Sequence, residues 1–298
     1  MADPLSKIII RKLRQVFIWP IEAALGFGFY GLARLLPVAM ASAVMGALIG
    51  FIGPLTPWHD RARRNMKLAL PDQSDAERNR ILRHMWFNFG RVIGEFPHVK
   101  SLAKTGRIEF VGLEHIEAIK GGGFLIGAHI GNWELGPYAA LQAGKKVAAI
   151  YRPLNNPLLR GLLEQRQQHY GGDIYRKGRE AALGMIASIR KGQFMCLLVD
   201  QQLREGMAVP FFGHDAKTSI SHIKLAIKKQ VPLLYMRTER LDGCNFRVTI
   251  SPPLNMPKND DDASIIAAAT KINAELEDWI KERPEQWFWP HRRWGKNI

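Results

Sequence analysis

Residues 121–136 read GGGFLIGAHIGNWELG. Three glycines close off what precedes, residues 124–128 are a short apolar run without charge, and the run delivers His129 at its end. A run this short, bounded by glycine, suits a strand buried on both faces better than a helix. Gly131 permits a turn, and Glu134 falls in the first turn of the helix that follows. The stretch is therefore a strand, a loop and a helix in succession, which is half of a β-α-β unit.

The same alternation continues outward. Residues 146–151, 194–199, 232–237 and 245–251 are further strand-like runs. Residues 75–96 form a helix, with Ser74 as N-cap and Ile81, Leu82, Met85, Trp86 and Phe89 at helical spacing. Asn156-Pro157 opens another helix as cap and first-turn proline, and Gly171-Gly172 ends it. Residues 180–191 form a helix stopped by Gly192, and residues 263–283 a long amphipathic one ended by Pro284. Strands alternating with helices predict an α/β fold: a mixed, mainly parallel central sheet with helices on both faces.

Before this domain lies a different kind of sequence. A basic leader, Lys7, Arg11, Lys12 and Arg14, runs into residues 16–36, whose only charges are Glu22 and Arg34. At ~1.5 Å per residue that is enough to cross a hydrocarbon core of ~30 Å. Residues 38–55 are apolar and uncharged, separated from the first run by Pro37. The expectation is a membrane anchor and interfacial helix over 1–55 and one catalytic domain over 56–298. One spanning helix is preferred, its successor lying on the membrane surface or on the domain. A helical hairpin is the runner-up, two buried core helices of a soluble protein come third, and a signal peptide is disfavoured because no clear cleavage site is followed by a polar start. Basic residues flank the segment on both sides, but the heavier load follows it (Arg61, Arg63, Arg64, Lys67), which favours a cytoplasmic domain.

At 298 residues the chain suffices for one sizeable α/β domain plus a short accessory segment. Its net charge of +15 calls for an anionic partner: nucleic acid, a phospholipid surface or an acidic protein. The two cysteines, Cys196 and Cys244, sit in apolar strand-like runs without CxxC spacing, and read as buried thiols of a reducing compartment.

His129 leaves a strand at its carboxyl end, where α/β sheets bind their ligands. On an ideal helix, residues five apart lie ~140° apart, so His129 and Glu134 share no helical face. With His129 on the loop and Glu134 in the following helix, the carboxylate points back to the imidazole. An imidazole so held removes a proton from an alcohol as it attacks an acyl carbon, for ~10² to 10⁴ in rate. No G-x-S-x-G elbow or activated cysteine supplies an enzyme nucleophile, so direct attack by an acceptor hydroxyl is the simpler chemistry. A structural histidine bonded to backbone is the plain alternative. Two ligands of a metal site are another, though HExxH is absent and spacing pins no third ligand.

The segment from His129 to Glu134 resembles the H-x4-D/E motif of the lysophospholipid and lipid A acyltransferase superfamily. Further segments resemble, in order, the late acyltransferases of lipid A biosynthesis: Tyr151-Arg152-Pro153 with Asn156-Pro157, Arg176-Lys177, Asp200-Gln201, residues 209–213 (VPFFG) with Thr218, and residues 284–293 (PEQWFWPHRR). The resemblance covers almost the whole chain. It implies an inner-membrane enzyme of Gram-negative bacteria, which joins the single N-terminal span and cytoplasmic catalytic domain expected from the apolar runs and the charges. The acyl donor implied is acyl carrier protein, and the acceptor a hydroxyl on a Kdo-bearing lipid A precursor. No cofactor or metal is implied. His129 and Glu134 become the catalytic pair, and Asn132, Arg152, Arg166, Arg176 and Asp200 candidate substrate contacts. Arg176, Lys177, Arg179, Lys224, Lys228, Lys229, Arg292 and Arg293 are cations for anionic partners, or a solvated face. Trp287, Phe288, Trp289 and Trp294 sit either at the membrane interface or in the core. Three rival functions are a basic nucleic-acid-binding protein, a metal-dependent hydrolase, and acyl transfer to another glycolipid or aminolipid.

Overall fold

The structure, a computed structural model, describes Lys12, residues 14–162, Glu164 and residues 170–295. Arg166 lies outside the described residues, as do Lys7 and Arg11.

Two apolar helices come first, α1 (Trp19–Leu35) and α2 (Val38–Ile52), and the latter runs into a single 3₁₀ turn, Gly53–Leu55. Gln15–Leu35 and Val38–Leu55 are each long and apolar enough to cross a membrane, by length and composition. A π-helical turn, Arg14–Ile18, leads directly into α1, Pro20 lies just past that junction, and Pro37 caps α2. Helices α3 (Pro57–Ala69) and α4 (Asp75–Glu95) follow, the latter with the Ser74 hydroxyl accepting the Glu77 N–H at 3.2 Å. Two glycines let α2 lie directly along α4. A Cβ on Gly94 would stand 2.3 Å from the Ala41 carbonyl oxygen, and one on Gly90 equally close to that of Met45. One side of α2 is thus sealed onto the domain, while Phe51 and Leu55 remain 75% exposed. Phe17, Ile21 and Leu25 likewise point outward around α1.

Beyond a short helix α5 (Val99–Leu102) the sheet begins, with β1 (Ile108–Val111), α6 (Leu113–Glu117), β2 (Gly123–Gly127), α7 (Tyr138–Gln142), β3 (Val147–Tyr151) and β4 (Asp173–Arg176). Then come α8 (Arg179–Arg190), β5 (Phe194–Leu198), β6 (Met207–Phe211), β7 (His214–Thr218), α9 (Ser221–Lys229), β8 (Leu233–Arg240), β9 (Phe246–Ile250) and α10 (Asp262–Glu282). Seven strands stand in the order β1-β9-β8-β2-β5-β3-β4, every pair parallel except β8 with β9. This is the mixed, mainly parallel sheet that the alternation predicts. Strand β2 is buried throughout, and its side chains alternate between two cores. Phe124 and Ile126 pack with residues of α3, α4 and α10, among them Met66, Trp86 and Leu276, while Leu125 faces Val99 of α5 and Ala139 of α7. Helices therefore cover both faces.

The VPFFG stretch forms a separate antiparallel hairpin, β6 with β7, turning at Phe212 and Gly213, both at positive φ. The tryptophans after α10 close the core: Trp287, Trp289 and Trp294 are buried, so the interfacial alternative does not hold for them. Arg293 is no surface cation either. It is fully buried, donates to Thr218 Oγ1 at 2.9 Å and Asn273 Oδ1 at 3.2 Å, and lies over the Phe211 ring. Cys196 and Cys244 are buried free thiols, as expected.

Candidate active site

Strands β2 and β5 are parallel neighbours in the register Gly127 to Leu198. Two residues past each strand end the chain reaches His129 and Asp200, so the pairing sets the two side chains side by side. His129 Nδ1 lies 2.8 Å from Asp200 Oδ1, and the His129 backbone N–H donates to Asp200 Oδ2 at 3.0 Å. Trp287 Nε1 donates to the same Oδ2 at 2.8 Å. Burial by itself would raise the Asp200 pKa, but the neighbouring His129 and these three donors hold it far below the usual carboxylate range. An ionised carboxylate only accepts, so Nδ1 carries the proton and Nε2 presents its lone pair. The Gln201 amide nitrogen stands 3.2 Å from Nε2.

The imidazole is one wall of a cavity of about 730 Å³. Ala149, Ile150, Ala181, Met185, Cys196 and Val199 give it an apolar side, while Arg152, Lys177, Gln201, Gln202 and Ser219 supply polar groups. Two further histidines line it. Desolvation pushes His222 down to about 4 and His291 to about 3, so both are neutral at physiological pH.

The loop that carries His129 is clamped from several directions. Its turn uses Gly131 at φ 61°, with space for no side chain because a Cβ would meet the Thr238 carbonyl oxygen at 2.6 Å. Gly131 N–H donates to the Gln286 carbonyl at 3.1 Å, and Phe288 N–H to the His129 carbonyl at 3.1 Å. The segment after α10 thereby forms a strap across the loop, and its Trp287 reaches Asp200.

The predicted site residues fare unequally. His129 stands at the cavity as expected, and Arg152 also lines it. Glu134 does not hold Nδ1, because Asp200 occupies that place. Glu134 is buried in a 3₁₀ turn, Trp133–Leu135, where its Oε2 and its own carbonyl oxygen each accept from the Tyr170 hydroxyl at 2.8 Å. Tyr170 in turn lines the cavity. Asn132 and Asp200, expected as substrate contacts, are engaged inside the protein. Asn132 Nδ2 donates to Glu95 Oε2 at 2.8 Å, and its Oδ1 accepts the Glu134 N–H at 3.3 Å. Arg176 is exposed at the end of β4, and its neighbour Lys177 lines the cavity in its place. Gln201, Tyr170 and Trp287 join the site without being among the expected site residues. For Asp200 and Gln201 a signal existed: they follow the apolar run 194–199 as His129 follows 124–128. Among the described residues no group of three His, Cys, Asp or Glu is placed to hold a metal ion.

Comparison with known proteins gives the chain a family. Residues 8–296 match the family model of bacterial lipid A biosynthesis acyltransferases. A lipid A biosynthesis acyltransferase of Haemophilus influenzae is 24% identical over 89% of this chain and 85% of its own. The lipid A biosynthesis lauroyltransferase of Escherichia coli is 29% identical over 77% of this chain and 76% of its own, and a myristoyltransferase of the same pathway and organism is 28% identical over 83% and 77%. A chain matched by that model over residues 8–296, with a histidine on a half-apolar cavity at the carboxyl ends of its parallel strands, belongs to the bacterial lipid A biosynthesis acyltransferase family.

Proposed function

We propose that this acyltransferase moves a fatty acyl chain from the thioester of acyl carrier protein to a hydroxyl of a Kdo-bearing lipid A precursor, with His129 as general base. The observation that carries the reading is the His129 imidazole, its Nδ1 held by Asp200 and its Nε2 facing a half-apolar cavity. Nε2 takes the proton of the acceptor hydroxyl as that oxygen forms its bond to the thioester carbonyl carbon. The imidazolium so formed is stabilised by the Asp200 carboxylate. As the tetrahedral intermediate collapses, the C–S bond breaks, the thiolate leaves and the imidazolium returns the proton to sulfur. Glu134 contributes through Tyr170, holding a wall of the cavity and the turn that bears the histidine. Arg152 and Lys177 face the anionic groups of donor or acceptor, and the apolar side takes the acyl chain.

The excess of positive charge suits an acidic carrier protein and a phosphorylated glycolipid. The outward apolar side chains of α1 and α2 suit an anchor over residues 1–55 in the inner membrane, with one span and the 56–298 domain on the cytoplasmic side. The buried thiols suit that compartment. The test combines two measurements. His129→Ala loses nearly all transfer in a purified assay with acyl carrier protein thioesters while remaining folded, and a substantial rate in it refutes the mechanism. Deleting the gene alters the acylation pattern of lipid A by mass spectrometry, and an unchanged pattern refutes the acceptor.

A further inference from the structure

Beneath the His129 loop lies a buried ion pair that the reaction scheme does not use. Glu95, at the end of α4, is fully buried and takes a bidentate pair of bonds from Arg240 of β8, at 2.6 Å from Nη1 to Oε1 and 2.8 Å from Nη2 to Oε2. Arg240 is itself 5% exposed and lies over the Phe246 ring. Two buried charges withdrawn from water are a poor way to gain stability, since apolar residues of the same volume do as well or better. What such a pair supplies is directed, strong hydrogen bonding.

Its remaining bonds converge on the turn that follows the histidine. Asn132 donates to Glu95 Oε2 at 2.8 Å. Asn88 Oδ1 accepts from Arg240 Nε at 2.8 Å, and Asn88 Nδ2 reaches the Gly131 carbonyl at 3.4 Å. The Arg240 backbone exchanges two bonds with the Gln286 side chain, at 2.9 and 2.8 Å, and the Gln286 carbonyl accepts from Gly131. One further arm runs the other way. Ser42, buried on α2, donates to Glu95 Oε1 at 2.6 Å and accepts from Arg91 Nε at 2.8 Å. The carboxylate that holds the turn is thus also bonded to the apolar helix whose far side is exposed.

We propose that Glu95, charged and locked by Arg240, is the positioning residue of the His129 loop, bonding it through Asn132 on one side and to helix α2 through Ser42 on the other. This rests on the reading of His129 as general base. A misplacement of about 1 Å in reacting groups costs about 10²-fold in rate, and none of Glu95, Asn132, Arg240 or Ser42 lines the cavity. The effect belongs in kcat.

The experiment uses full-length protein in detergent with acyl carrier protein thioester and lipid A precursor. Asn132→Leu leaves both members of the Glu95–Arg240 pair in place and removes the bond from Asn132 to Glu95 together with the cap its Oδ1 gives the Glu134 N–H. The expected result is a kcat lower by about 10²-fold, with both KM values changed less than about twofold. Ser42→Ala, which removes one hydroxyl and no charge, gives the same kcat-only pattern to a smaller degree and decides the matter if Asn132→Leu fails to fold. A wild-type kcat in folded Asn132→Leu overturns the proposal. So does a wild-type kcat in Ser42→Ala when Asn132→Leu yields no folded protein, and so does a loss that merely follows the fraction of folded protein. His129→Ala run in parallel separates the two readings. If it retains rate, the base assignment falls; if it is dead while both variants match wild type, only the positioning role falls.

Discussion

Replacing Asp200 by asparagine tests the site at its most determined point. The carboxylate receives three donors: His129 Nδ1–H at Oδ1, and the His129 backbone N–H and Trp287 Nε1–H at Oδ2. The two at Oδ2 cannot change role, since neither a peptide N–H nor an indole N–H accepts. The asparagine oxygen must therefore face them, which turns its NH₂ toward His129 Nδ1. Nδ1 becomes the acceptor, the proton moves to Nε2, and the nitrogen that faces the cavity can no longer accept one. Shape and all three contacts survive, the one to Nδ1 with its direction reversed and its charge lost, so the fold loses only about 1–3 kcal/mol. The rate loses general-base catalysis altogether, with the imidazole in the wrong tautomer, and kcat falls about 10³- to 10⁴-fold. Single-turnover transfer from an acyl carrier protein thioester, with thermal melting of the same samples, measures both. A folded Asp200→Asn protein within about tenfold of wild-type kcat refutes the assignment of Asp200 as the residue that fixes the His129 tautomer.

Two further outcomes follow from groups away from the histidine. Burial lowers the His222 pKa from 6.5 to about 4, so as pH falls through that window the unfolded chain takes up a proton that the folded chain refuses. Stability present above pH 6.5 then declines by on the order of 3 kcal/mol toward pH 4. Denaturation midpoints measured across this range decline less in His222→Leu, and an equal decline in both proteins removes His222 as the cause. In Gly94→Ala the new methyl meets the Ala41 carbonyl oxygen, which is backbone and cannot swing aside. Helix α2 must move off α4 at a cost of about 1–3 kcal/mol, and an unchanged melting temperature contradicts that packing.

Much of the fold is legible because burial leaves a local signature. Strands β2, β3, β5, β8 and β9 are predicted within a few residues, each being an apolar or alternating run between turn residues. Strands β1 and β4 are missed, and they are the two edges of the sheet. Being covered on fewer sides, they are short and mixed in polarity, IEFV and DIYR, and carry no apolar run to notice. The β6–β7 hairpin escapes for a related reason, since VPFFG turns at a Phe-Gly pair in place of the Asn-Gly that announces such turns. The closing tryptophans are ambiguous in sequence because an indole is at home in a core or at a membrane surface.

The sequence by itself determined that His129 leaves a buried strand at its carboxyl end, beside a glycine that turns the chain and ahead of a helix. It determined the apolar helices that precede the domain and the alternation that builds the sheet. Only the tertiary structure decided which acid serves the histidine. Glu134, five residues away, is the partner that proximity in sequence suggests, but the 3₁₀ turn carries it to Tyr170. Asp200, 71 residues away, is the partner in space. Parallel strands are joined by long crossovers, so the neighbour of β2 is set by how the whole sheet packs and by no pattern within either strand. Once β5 lies beside β2 in its register, two residues past each end bring carboxylate and imidazole within hydrogen-bond distance.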